Sequence, residues 1–230
     1  MTIAIIGLGL IGGSLLRRFG DEAVGYDADE PTRTLAAEAG CPVADSIADA
    51  VSGRDVAMVA VPLPAYETVV AEIRAAAPEI LLTDVTSVKA PVAGTPGRFV
   101  GGHPMAGTEE SGFAAADPKL FEDAAWVLCL GDDALDDWLA IARLVLGTGA
   151  RVVPATVAAH DAAVARISHL PHILAATLTQ QAAEPLALSL AAGSFRDGTR
   201  VAASRPELTT AMSQANDAAL QRAIEEQIRR

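Results

Sequence analysis

Cysteine is scarce: the 230-residue chain has only Cys41 and Cys129. Two thiols so far apart form no metal-ligand or dithiol spacing, so neither a disulfide scaffold nor a thiolate centre organises the chain. Reduced thiols in a cytoplasmic protein are expected. Positive charge is short as well, with 17 Lys and Arg against 29 Asp and Glu and a formal net charge of −12. Phosphate backbones and anionic membranes repel such a chain, so no nucleic acid and no membrane is expected as a partner. Long apolar runs are missing too: no segment reaches the ~18 to 20 residues that a transmembrane helix needs. The opening "MTIAIIGLGLIGGSLL" resembles a secretion signal only superficially. It lacks a basic start, is interrupted by glycines, and leads into "RRFG" instead of a cleavage site. Histidine is confined to His103, His160, His169 and His172.

What is present supports a globular α/β protein. Hydrophobic residues make up 51% of the chain, enough for one large or two modest domains with real cores. Up to about residue 153, short apolar runs alternate with helical patterns. The strand candidates are "TIAII" (2–6), "AVGY" (23–26), "DVAMVAV" (55–61), "ILLTDV" (80–85), "RFVGG" (98–102), "AWVLCL" (125–130) and "ARVV" (150–153). Runs apolar on both faces, separated by helices, predict a parallel sheet covered on both sides. After Pro154 the strand signal stops. Residues 156–184 read as one long helix kinked at Pro171, and residues 206–230 as a second helix with Pro206 in its first turn. The fold class expected is therefore a doubly wound, Rossmann-type dinucleotide-binding domain over 1–154, followed by a small all-α domain over 155–230. The helical part is too thin to build much core of its own and is expected to pack against a second copy of the chain.

The glycine run Gly7-Leu8-Gly9-Leu10-Ile11-Gly12 follows the first strand directly and opens a helix. In this setting the first glycine permits a tight turn, the second lets backbone approach a pyrophosphate, and the third lets helix and strand pack closely. Asp27 stands at the end of the second strand, twenty residues past Gly7, where a carboxylate accepts hydrogen bonds from ribose hydroxyls and repels a 2′-phosphate. NAD is therefore expected over NADP, with Gly7, Gly9, Leu10, Ile11, Gly12 and Asp27 as the cofactor-binding set. Arg33 nearby is the one residue that could favour NADP.

Three later segments carry polar groups suited to chemistry. "TDVTSVKAPV" (83–92) ends a strand and sets Thr86, Ser87 and Lys89 at the carboxyl edge of the sheet. "GGHPMAGTEESG" (101–112) follows the next strand with His103 and Glu109. The helical half holds His160, Ser168, His169 and His172, then "GSFRDGTR" (193–200). His169 and His172 are three apart, as two metal ligands on a helix can be. Pro171 disturbs that geometry and no acid or cysteine stands at ligand spacing, so no metal is expected. On an ideal helix His160 and His172 lie ~120° apart, so both face one site only if the kink turns them.

"GLGLIGGS", "TDVTSVK", "GGHPMAGTEESGF", "HD…SHLPH" and "FRDGTR" occur here in the order found in prephenate dehydrogenases and their arogenate and cyclohexadienyl relatives. The chain resembles that family from residue 3 to about 216. The resemblance implies NAD-dependent oxidative decarboxylation of a cyclohexadienol, prephenate or arogenate, to 4-hydroxyphenylpyruvate or tyrosine in tyrosine biosynthesis. It implies that His103 polarises or deprotonates the ring hydroxyl and that Ser87 hydrogen-bonds to that hydroxyl or to His103. On the same resemblance Arg200 binds a substrate carboxylate, His172 and His160 line the substrate pocket, and Glu109 gates it. A homodimer through the helical domain and competition by tyrosine at the active site are implied as well.

Two departures from the family stand out. The chain stops at Arg230, where relatives run on through further helices, so either the helical domain is shortened or the sequence is a truncated form. Thr209 stands nine positions after Arg200, where many relatives carry an aromatic residue. The alternatives are another two-domain dehydrogenase of the β-hydroxy-acid type, or a catalytically silent NAD-binding paralogue. The first typically needs a lysine in the long helix, and residues 156–184 contain none. The second should have lost Ser87, His103, His172 and Arg200, and all four are present.

Overall fold

The computed structural model describes every residue except Glu109, Asp132, Asp133, Ala183, Arg205 and Arg230. The chain divides into two compact units, Met1–Val157 and Ala158–Arg230.

In the first unit, β1 (Ile3–Ile6), α1 (Leu10–Phe19), β2 (Ala23–Tyr26), α2 (Glu30–Glu38), α3 (Ile47–Val51), β3 (Val56–Val59), α4 (Leu63–Ala76), β4 (Leu81–Asp84) and β5 (Phe99–Val100) follow in sequence. The five strands form a parallel sheet in the order β2-β1-β3-β4-β5. Side chains of β1 alternate between two cores. Ile3 and Ile5 join Leu15, Leu16 and Val56 on one face, while Ala4 and Ile6 join Val59, Tyr66 and Ile73 on the other. A strand covered on both faces needs apolar residues at every position, hence the unbroken run. From β1 the chain goes to β2 on one side, then crosses to β3 on the other. The carboxyl end of β1 is therefore the reversal point where such sheets take ligands.

A second, three-stranded sheet contains β6 (Gly102–Pro104), β7 (Ala125–Leu130) and β8 (Arg151–Thr156), with α5 (Leu135–Gly147) between the last two. The pairing of β6 with β7 is antiparallel and that of β7 with β8 parallel. This corrects two expectations, a wholly parallel sheet and one strand over 98–102. The run "RFVGG" splits because its two halves have different partners. Phe99 and Val100 pair with β4, whereas the Gly101 carbonyl accepts the Cys129 N–H at 2.8 Å and draws the next residues toward β7. Apolar runs reveal burial but not strand direction, so the sequence pattern could not separate the two.

The second unit is helical: α6 (Val157–Val164), a π-helical turn at Ala165–His169, α7 (Leu170–Gln181), α8 (Pro185–Ser189), α9 (Gly193–Thr199), α10 (Pro206–Ala215) and α11 (Asp217–Ile228). At the position of the kink expected at Pro171, the structure has this π turn. Pro171 sits in the first turn of α7, where its missing N–H costs nothing, and the widened turn before it accommodates the ring. The single helix expected over 206–230 is two helices that break at Asn216 (φ −116°, ψ 28°). Buried Asn216 donates its side-chain amide to the Asp161 carbonyl at 2.8 Å, and the same nitrogen lies 3.2 Å from His169 Nδ1. Two buried partners outweigh one uninterrupted helical turn.

Candidate active site

The glycine turn is built as its spacing predicts. Gly7 adopts φ +99°, and a β-carbon there would meet the Ala60 carbonyl oxygen at 2.5 Å. At Gly12 a β-carbon would lie 1.8 Å from the Gly7 oxygen, so only glycine lets α1 seat against the turn. Gly9 differs: nothing lies within 4 Å of its would-be β-carbon, and it caps α1 without a side-chain hydrogen bond. The amino end of α1 thus presents backbone N–H groups beside open space, an arrangement that fits a pyrophosphate. Asp27 accepts the Leu8 N–H at 2.7 Å through one carboxylate oxygen and the Asp29 N–H at 2.9 Å through the other. It therefore braces the glycine turn, a second role that the sequence did not reveal. Each oxygen keeps a further lone pair for a ribose hydroxyl. Arg33 donates to the carbonyls of Asp27 (2.6 Å) and Ala28 (3.3 Å) and lies over the Tyr26 ring at 5.6 Å.

Helix α1 also grips the far end of the histidine loop. The Gly13 position leaves room for the buried Phe113 ring, Arg17 lies 4.7 Å above that ring, and Arg17 Nη1 donates to the Ala116 carbonyl at 3.0 Å. Ser14 Oγ accepts the Asp117 N–H at 2.9 Å.

His103 occupies the middle of β6, half-buried, directly opposite Val127 of β7. Ser87 is half-buried in the bend that follows β4. Their backbones share one anchor, the buried carboxylate of Asp84. It accepts the N–H groups of Thr86 and Gly102, each at 3.0 Å, and a hydrogen bond from the Thr86 hydroxyl. Thr86 precedes Ser87 and Gly102 precedes His103, so one side chain ties down both neighbours. Asp84 was not among the sequence candidates. An acid at a strand end ahead of "VTSVK" reads as a local turn cap, and nothing local points to Gly102. Glu109 lies outside the described residues.

The other candidates lie in the helical unit. His160 is buried, with Nδ1 2.7 Å from Asp161 Oδ1. His172 is half-buried and its Nδ1 lies 3.1 Å from the Val201 carbonyl, while Arg200 is exposed in the short turn after α9. Among the described residues, no cluster of three or more His, Cys, Asp or Glu is placed to hold a metal ion.

His169, adjacent to these, is fully buried and its pKa is pushed down to about 4, chiefly because burial penalises the charged ring. The Asp161 carbonyl fixes the Asn216 amide nitrogen as donor, so His169 Nδ1 accepts from it, which also favours the neutral ring. In the unfolded chain the same imidazole titrates near 6.5. Below that pH the unfolded state binds the extra proton. The contribution of the neutral ring to stability is thus complete above ~6.5 and lost as the pH falls toward 4. Thermal unfolding followed between pH 7 and 4 should show a steeper fall for the wild type than for His169→Gln. Parallel curves would contradict the assignment.

Comparison with known proteins decides the family. Residues 12–154 match the family model described as prephenate dehydrogenase, nucleotide-binding domain, and residues 156–230 match prephenate dehydrogenase, dimerization domain. The chain belongs to the prephenate dehydrogenase family. It is 38% identical to the prephenate dehydrogenase of Bacillus subtilis (strain 168) over 233 residues, covering 90% of this chain and 62% of that protein. The chain thus spans less than two thirds of that relative's length. Among solved structures it is similar to Synechocystis arogenate dehydrogenase, with a TM-score of 0.85 and 31% identity, covering 100% of this chain and 88% of that one. It is also similar to the A. aeolicus prephenate dehydrogenase solved with hydroxyphenyl propionate and NAD+, with a TM-score of 0.88 and 26% identity, covering 100% and 87%. The two prephenate dehydrogenase segments meet between residues 154 and 156, inside β8 and just before α6 begins.

Proposed function

We propose that this chain carries the NAD-dependent oxidative decarboxylation of prephenate or arogenate. The observation that carries the proposal is a built glycine turn with Asp27 in the same unit as a half-buried His103, inside a chain of the prephenate dehydrogenase family. In this reading the backbone N–H groups at the start of α1 hold the pyrophosphate, and Asp27 holds the adenine ribose. Arg33, committed to the carbonyls of Asp27 and Ala28, favours NAD because it serves the turn and not a 2′-phosphate. NAD supplies the hydride acceptor.

The chain's own residues supply the proton chemistry. His103 accepts the hydrogen bond of the ring hydroxyl, which favours loss of hydride from the carbon bearing that oxygen. As the ring carboxylate leaves as CO2, its bonding electrons return to the ring, the ring becomes aromatic, and the oxygen recovers its proton. A neutral imidazole suits this role because its ordinary pKa, about 6.5, lies near working pH. Ser87 orients the hydroxyl or His103. Arg200 binds a substrate carboxylate, and His172, His160 and Glu109 belong to the substrate pocket. A guanidinium is needed for an anionic substrate in a chain of net charge −12.

The helical unit forms a homodimer in the same reading. Among the described residues its core cluster is Ala165, Ala219 and Ala223 with Leu170 against them, while Leu186, Leu188 and Leu190 are each more than half exposed. Tyrosine competes at the substrate site, and a cytoplasmic location fits two free cysteines.

Reduced-cofactor formation, measured with prephenate and arogenate against NAD and NADP, tests the function. Turnover of one or both substrates with NAD is expected. No turnover of either by the folded chain would overturn the proposal, and a preference for NADP would overturn the role given to Asp27.

A further inference from the structure

Lys89 and Asp84 form an ion pair that is almost wholly inside the protein, at 1% and 0% exposure. Lys89 Nζ lies 2.5 Å from Asp84 Oδ2 and 2.5 Å from the Gly102 carbonyl oxygen. Asp84 Oδ1 accepts the Gly102 N–H at 3.0 Å. Both backbone groups of Gly102 are therefore held by one charge pair. Among the described residues β6 pairs with β7 on one edge only, so the ion pair serves its other edge in place of a neighbouring strand. The approach is close: a β-carbon on Gly102 would meet the Asp84 carbonyl oxygen at 2.7 Å and Trp126 Nε1 at 3.0 Å.

Stability alone does not call for this arrangement. Removing an ammonium and a carboxylate from water is costly, and apolar residues of similar volume often replace a buried pair without loss. What an apolar replacement cannot do is bind a peptide N–H and a peptide carbonyl together. Asp84 also binds Thr86, so the same carboxylate fixes the bend bearing Ser87 relative to the strand bearing His103.

We infer that the buried Asp84–Lys89 pair is a positioning device that fixes the Gly102–His103 peptide and the separation of Ser87 from His103. Neither residue touches substrate. The pair acts through the backbone on the geometry of the proton acceptor, an inference that rests on the role proposed above for His103. Loss of the pair should therefore lower kcat and leave substrate binding nearly intact.

The test is the double variant Asp84→Asn/Lys89→Met in the full chain, which removes both charges at nearly constant volume. Its kcat should fall roughly 10- to 100-fold, with KM for substrate within about threefold, as expected for a misplaced catalytic group. The control Arg98→Met/Asp137→Asn, which deletes an ion pair between the residue before β5 and α5, should keep both constants. A folded double variant with wild-type kcat would overturn the inference, as would a large rise in KM at unchanged kcat. A readout without substrate separates this inference from the role of His103. Imidazole 15N–1H spectra should show His103 signals shifted in the double variant and unshifted in the control. If the wild type turns over neither substrate, the proposed function fails, and unshifted His103 signals would overturn the positioning role as well. If the double variant does not fold, amide exchange of the wild type decides: a protected Gly102 N–H supports the clamp and rapid exchange overturns it.

Discussion

Replacing His103 by Asn is expected to lower kcat about 10²- to 10⁴-fold, the usual contribution of a positioned general base. Asparagine keeps a polar side chain of similar reach but cannot take up a proton near neutral pH. The strand should survive the change, because β6 is held through its backbone: Gly102 by Asp84 and Lys89, and the Gly102, His103 and Pro104 positions in register with Leu128, Val127 and Trp126. The ring is half-buried, so little packing is lost. Affinity for NAD, measured by titration without substrate, should stay within about threefold, since the glycine turn and Asp27 are untouched. A variant within threefold of wild-type kcat would remove His103 from the chemistry, whereas a variant that loses NAD binding too would point to a collapsed strand.

Much of the fold could be read from local pattern, because local pattern is what determines it. β1, β2 and β7 fall where apolar runs are bounded by glycine or charged turns, and α1 starts directly after the second glycine, with the third in its first turn where helix and strand pack. The misses share one physical cause, a partner distant in sequence. "RFVGG" gives no sign of dividing, since the division is enforced by Asp84 and Cys129 from elsewhere. Asn216 sits in a stretch without glycine or proline to mark a stop. Only its bonds to Asp161 and His169, 55 and 47 residues back, make a break there favourable.

The same limit applies at the candidate site. The glycines and Asp27 could be singled out because their spacing along the chain reflects a strand–turn–helix geometry. Asp84 could not, although Lys89 five residues on was a signal. A lysine buried in a strand-end motif needs a carboxylate, and the nearest acid in "TDVTSVK" is Asp84. Helical phase placed His160 and His172 ~120° apart on an ideal helix. The π turn at Ala165–His169 changes that phase, and no composition rule announces it.

Gly12→Ala should remove dinucleotide binding and destabilise the first unit together, whereas Gly9→Ala should weaken binding alone. At Gly12 the added methyl would stand 1.8 Å from the Gly7 oxygen, 3.0 Å from the Gly7 carbonyl carbon and 3.2 Å from Ala60 Cβ. Two of these are backbone atoms of a turn whose own residue is already at φ +99°, so no side chain can swing aside. The amino end of α1 must move away from β1. Overpacking of this kind costs about 3 kcal/mol or more, which lowers Tm by roughly 5–10 °C in a chain of this size. The displaced N–H groups no longer converge on a phosphate. At Gly9 the methyl meets nothing within 4 Å and φ is −69°, a value any residue adopts, so the fold should tolerate it with a Tm loss of no more than a few degrees. The open space that makes Gly9→Ala harmless to the fold is the space a pyrophosphate would fill, so NAD affinity should still fall ~10-fold or more, equivalent to about 1.4 kcal/mol of binding energy. Thermal unfolding and NAD titration of the two variants, side by side, separate packing from binding. Equal NAD affinity in Gly9→Ala and wild type would mean that the pyrophosphate does not lie over this turn.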